Sequence, residues 1–178
     1  MLDIDSAIDL MNEFKDDKPT FAILKHNNAC GIATRDNIND AYDAALEADP
    51  ISAFGGILIS NTKIDKDTAV NIDKLFCEVV ISPGFENEAV EILKKKKNRI
   101  ILSLKSFPKK NRLIRSCLNG SLIQTVDNIS DSIDIFEYVT HQKPNKKSLD
   151  DLTFASKVCK HTKSNLSLIH ISEPTRQP

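Results

Sequence analysis

Thr20-Phe21-Ala22-Ile23-Leu24, running straight into Lys25-His26-Asn27-Asn28-Ala29-Cys30-Gly31, is the stretch on which the fold turns. A short apolar run of this kind reads as a buried strand rather than a helix. Lys25 to Gly31 then lie at a strand's carboxyl edge, where open α/β sheets bind their ligands. A cation, an imidazole and two carboxamides are gathered there, with Gly31 freeing the backbone to turn. The alternative reading of these residues alone is a polar loop without chemistry.

Upstream, Ile4, Ala7, Ile8, Met11 and Phe14 recur at helical spacing and predict an amphipathic helix. Downstream, Ile38, Ala41, Tyr42, Ala45 and Leu46 predict a second helix that ends before Pro50. A strand over Gly56 to Ser60, a helix carrying Ala69, Ile72 and Phe76, and a strand over Glu78 to Ser82 come next. A helix with Ala89, Val90, Ile92 and Leu93 then leads to a strand over Arg99 to Leu104. Alternation of helix and strand predicts a layered α/β domain with a largely parallel sheet. It stops near Lys105, where a basic stretch containing Pro108 reads as a connector. Asn119-Gly120 between two apolar runs predicts a hairpin. A linker around Pro144 precedes a last helix from about Leu149 to Lys163.

The totals exclude several function classes. The chain has 178 residues and a formal net charge of −1, so no global basic field draws it to nucleic acid. No stretch reaches the roughly 20 apolar residues of a membrane span, and no secretory leader opens the chain. Cys30, Cys77, Cys117 and Cys159 are widely spaced and form no C-x-x-C pair. Reduced thiols in a cytoplasmic protein are the expectation, with no metal site.

A second segment, Asp49-Pro50-Ile51-Ser52-Ala53-Phe54-Gly55-Gly56, enters the strand Ile57-Leu58-Ile59-Ser60. Paired glycines there suggest close approach of something flat to the backbone, with Phe54 as a stacking wall or a core aromatic. Taken in order, Lys25 to Ala33, Asp49 to Ile59, Glu78-Val79-Val80-Ile81-Ser82-Pro83-Gly84-Phe85 and Glu88 to Asn98 make a specific series. It continues through Leu118 to Gln124, Phe154-Ala155 and Lys160-His161-Thr162-Lys163-Ser164-Asn165. This series resembles the transformylase domain of the AICAR transformylase/IMP cyclohydrolase family over nearly everything up to Asn165.

The resemblance implies a layered α/β/α, cytidine-deaminase-like subdomain at 1–104, a connector with a hairpin at 105–147 and the start of a second subdomain at 148–165. Residues 166–178 read as translated adapter sequence and are set aside, and both ends look cut. The implied reaction is formyl transfer from 10-formyltetrahydrofolate, as cosubstrate, to the 5-amino group of AICAR in purine biosynthesis. The implied parent is a homodimer that is also an IMP cyclohydrolase. That amine is conjugated with its imidazole and is a weak nucleophile. A base must take its proton while charge on the formyl oxygen is stabilised. His26 matches the family's catalytic histidine, as general base or proton shuttle, a role an imidazole suits, and Lys25 matches its electrostatic partner. Ser52, Phe54 and Gly55 match positions lining the pocket, Glu78 an acidic substrate-binding residue, and Asn165 an amide partner for the substrate. Ala29 stands where many relatives have proline, and Asn119 replaces one glycine of a frequent pair.

A zinc deaminase, the natural rival, needs His-x-Glu or Cys-x-Glu with Pro-Cys-x-x-Cys, and neither motif occurs. The second rival is an inactive fragment that binds nucleotide or self-associates, because the resembled enzyme draws further contacts from a second subdomain and a dimer interface. Cys30 has no activating base at fixed spacing and reads as packing. The lysines 94–97 read as cations at a helix C-terminus.

Overall fold

A computed structural model describes residues 2–163. Its centre is a five-stranded sheet of order β2-β1-β3-β4-β5, made of β1 (Thr20–Lys25), β2 (Asn28–Thr34), β3 (Gly56–Ser60), β4 (Cys77–Ser82) and β5 (Ile100–Ser103). The pairs β3–β4 and β4–β5 are parallel, whereas β1 runs antiparallel to both β2 and β3. Four of the five strands therefore point one way, and β1 alone opposes them.

Alternating side chains of the strands feed two cores, as the period of two requires. Phe21, Ile23, Leu58 and Val80 face α2 (Ile38–Ala48), α3 (Lys66–Lys74) and α4 (Asn87–Leu93). Ala22, Leu24, Ile57, Ile59, Val79 and Ile81 face α1 (Leu2–Asn12), whose Ala7, Leu10 and Met11 are at most 1% exposed. The result is three layers, α/β/α, as expected. Asn37 and Asp65 start α2 and α3 by accepting the backbone N–H three residues on.

α5 (Lys146–His161), which overlaps the stretch that the resemblance implies is the start of a second subdomain, packs beside α1. Phe154 packs against Phe14 with centroids 5.4 Å apart and the rings tilted by 59°, and Lys157 and Lys160 pair with Asp17 and Glu13 at 2.7 and 2.8 Å. The hairpin of β6 (Arg112–Cys117) and β7 (Gly120–Thr125) forms a separate two-stranded sheet. Its turn is Leu118-Asn119, one residue earlier than Asn119-Gly120. Leu118 takes the positive φ (50°) and is fully exposed, so Cys117 pairs Gly120 directly.

Two expectations need correction. Asn28–Thr34 is a strand, not a loop: most of its side chains are small and its apolar residues do not alternate with polar ones, so no pattern announces it, yet it pairs β1 along its length. Gly31 accordingly does not turn the chain. It lies mid-strand opposite Ile23, pressed against α2, where an added Cβ would sit 1.9 Å from the Ala45 carbonyl oxygen.

Candidate active site

Because β1 is the antiparallel strand, its carboxyl end lies beside the amino ends of β3 and β4. The Lys25 end is thus not at the carboxyl edge of the parallel strands, and the general rule for open sheets does not locate it. What does gather there are the segments singled out in the sequence. Lys25 closes β1, residues 51–55 form the turn into β3, and Glu78 is the second residue of β4.

His26 and Asn27 form a two-residue turn between β1 and β2, with φ of 54° and 65°. Positive φ at both central positions is the type I′ hairpin pattern, whose twist matches that of the strands. Asparagine and histidine are among the non-glycine residues that adopt it most readily. His26 is exposed at the tip, and Lys25 is half-buried. The Lys25 ammonium donates to the Phe54 carbonyl at 2.8 Å, bridging 29 positions of sequence to bind the two segments together.

Two β-bulges shape this edge. Between Gly56 and Ile57 the β4 register skips one residue, so Glu78 has no partner on β3 and stands exposed between buried Cys77 and Val79. Between Ile23 and Leu24 the β2 register skips Cys30. Bulges re-aim side chains and recur beside active sites. Adjacent strands lie about 4.8 Å apart, so Glu78 sits roughly 10 Å across the sheet from Lys25, with β3 between them.

Gly55 has φ 74°, a conformation that favours glycine, and its N–H donates to the Phe76 carbonyl at 2.8 Å. Phe54 and Phe76 lie with ring centroids 5.0 Å apart, and both are more than half exposed, at 60% and 54%. Phe76 is not the helix residue its spacing predicts. Leu75 caps α3, and Phe76 joins Phe54 as an exposed aromatic step beside Lys25. No sequence signal separates it from an ordinary core phenylalanine. Ser52 has a local duty, its N–H donating to the Asp49 carboxylate at 2.9 Å, and hydrogen bonds from Ser52 lower the Asp49 pKa.

Burial pushes the Cys30 thiol up to about 11, reinforced by Asp49 and opposed by Lys25. A thiol held protonated is no nucleophile, in line with the sequence reading. Asn165 lies outside the described residues. Lys163, two positions before it, donates its backbone N–H to the Asn28 side chain at 2.7 Å, on the hairpin that carries His26. Among the described residues no three His, Cys, Asp or Glu side chains converge as a metal site would require.

The edge thus offers an exposed imidazole, a cation, a carboxylate and two exposed aromatic rings beside glycine-containing backbone, groups suited to acid–base chemistry on a planar ligand. Residues 1–173 match the family described as AICARFT/IMPCHase bienzyme. The match runs past Asn165 into the segment that reads as adapter sequence. The chain is 47% identical over 165 residues to the bifunctional purine biosynthesis protein PurH of Bacteroides thetaiotaomicron, covering 93% of this chain and 32% of that protein. It is 45% identical over 171 residues to the protein of the same name from Caldicellulosiruptor bescii, covering 95% and 33%. Among solved structures, Acinetobacter baumannii RibD, form 1, overlaps 56% of this chain and 33% of its own at TM-score 0.44 and 16% identity. The chain spans about a third of the length of the curated relatives it matches.

Proposed function

The chain belongs to the AICARFT/IMPCHase bienzyme family, and from that premise we propose that the Lys25–His26 edge is part of an AICAR formyltransferase site. The observation that carries this reading is the convergence of Lys25, His26, Phe54, Gly55 and Glu78 on one sheet edge through the Lys25–Phe54 hydrogen bond and the Glu78 bulge. In the reaction the 5-amino nitrogen of AICAR attacks the formyl carbon of 10-formyltetrahydrofolate. A carbon–nitrogen bond forms as the bond to the folate N10 breaks. His26 takes the proton lost by the amine and returns it to N10 as that nitrogen leaves, so the imidazole ends the transfer in the state in which it began. The Lys25 ammonium offsets negative charge on the formyl oxygen. Phe54 and Phe76 provide faces for a flat ring, and Glu78 accepts hydrogen bonds from an amine or carboxamide. Asn165 completes the substrate contacts. The homodimer, and cyclohydrolase activity elsewhere in the parent protein, are further parts of this proposal.

AICAR titrated into the isotope-labelled chain tests the site directly. The amide and imidazole resonances of Lys25, His26, Gly55 and Glu78 are expected to shift together. Shifts confined to other parts of the fold, or none at all, would contradict the assignment.

A further inference from the structure

Two consecutive non-glycine residues, His26 and Asn27, sit in the left-handed region. Such a conformation persists where the surrounding structure over-determines it, and it clusters at functional sites. Contacts from outside the hairpin supply that constraint. The Asp3 carboxylate accepts the Asn27 N–H at 2.6 Å, a charge-assisted bond to the backbone of the turn itself. The Ser6 hydroxyl donates to the Asn27 side-chain oxygen at 3.2 Å. Asp3 and Ser6 stand in the first turns of α1, which is fixed to the sheet by the buried Ala7, Leu10 and Met11. The carboxylate is therefore a rigid arm reaching from a packed helix to the one peptide N–H that succeeds His26.

We propose that Asp3 is a positioning residue for His26: by holding the Asn27 N–H it locks the turn in its left-handed form and fixes the direction in which the imidazole leaves the sheet. The functional half of this inference rests on the reading of His26 as the base. The geometric half does not. If the Asn27 peptide rotated out of the left-handed region its N–H would leave Asp3, while the β1–β2 ladder, with Lys25 opposite Asn28, could remain intact. His26 would then be present but misdirected, and errors of about 1 Å in a catalytic group cost as much as 100-fold in rate.

The test compares Asp3→Ala with Asp3→Asn, which keeps an oxygen acceptor. In the labelled chain, Asp3→Ala is expected to raise hydrogen exchange at the Asn27 amide about tenfold or more and to move the His26 and Asn27 Cα shifts out of the left-handed range. Amides of β3 and β4 are expected to stay protected, and Asp3→Asn to restore most of the effect. A chimera joining this chain to the remaining two-thirds of the B. thetaiotaomicron relative reads the consequence. There Asp3→Ala is expected to lower kcat about tenfold with KM for AICAR unchanged, and Asp3→Asn to recover it. Unchanged Asn27 exchange and Cα shifts in Asp3→Ala would overturn the proposal, as would altered exchange with kcat intact. A parallel loss of stability and activity that Asp3→Asn does not repair would also overturn it. If the unsubstituted chimera transfers no formyl group, the functional reading fails instead, and Asn27 exchange still decides whether Asp3 sets the turn.

Discussion

At Gly31 a single methyl group has nowhere to go. Its Cβ would lie 1.9 Å from the Ala45 carbonyl oxygen and 3.1 Å from the Ala48 Cβ. Neither backbone can yield without parting β2 from α2. Gly31→Ala is expected to destabilise the chain by about 3 kcal/mol, at the upper end of overpacking costs, measured by urea unfolding. Gly120→Ala is the control: its nearest neighbour would be 3.9 Å from the new Cβ, so an effect within about 0.5 kcal/mol is expected. Cys30 gives a second check at this scale. With its thiol pushed up to about 11 by burial, alkylation by iodoacetamide at pH 8 is expected to be slower by about tenfold or more than for an ordinary exposed thiol. Labelling of Cys30 at the rate of Cys117, which is exposed, would contradict this.

At the scale of elements, Glu13 on the α1 side holds α5 in place. Burial pushes its carboxyl up, but hydrogen bonds from His161, Lys160 and Ser130 outweigh that and hold it down from 4.5 to about 2. A folded-state pKa below the unfolded one means stabilisation that is fully present above about pH 4.5. It is lost progressively as pH falls from there toward 2. Urea stability measured from pH 6 to pH 3 is expected to fall less steeply in Glu13→Gln than in the unsubstituted chain. Equal slopes would show that the latch carries no linkage. The long apolar elements were legible from the sequence because burial imposes their period: α1, α2, β3, β4 and α4 fall where periodicity predicts. β2 was not, because Asn28, Cys30 and Gly31 carry no alternation and the strand is specified by its partner β1. The two bulges were illegible for the same reason, since register is a property of a pair of strands. The spacing of Phe76 from Ala69 and Ile72 points to a place in α3, whereas Leu75 already ends the helix.

At the scale of the whole molecule, three layers bring residues from 25 to 78 to one edge, and Lys163 returns to that edge through Asn28. The candidate residues stand out in the sequence as motifs, while their meeting place does not. The antiparallel course of β1 puts its carboxyl end beside the amino ends of the parallel strands. The chain spans about a third of its curated relatives, and the β6–β7 hairpin keeps Ile114, Leu122 and Ile123 more than half exposed. A two-stranded hairpin is marginal by itself. The decisive measurement is therefore formyl transfer to AICAR by the chimera with the B. thetaiotaomicron relative, with and without His26→Ala. If His26 is the base, the unsubstituted chimera transfers the formyl group and His26→Ala loses about 100-fold or more in kcat, the scale of a general base, with KM for AICAR little changed. An active chimera whose kcat is indifferent to His26→Ala would contradict that role.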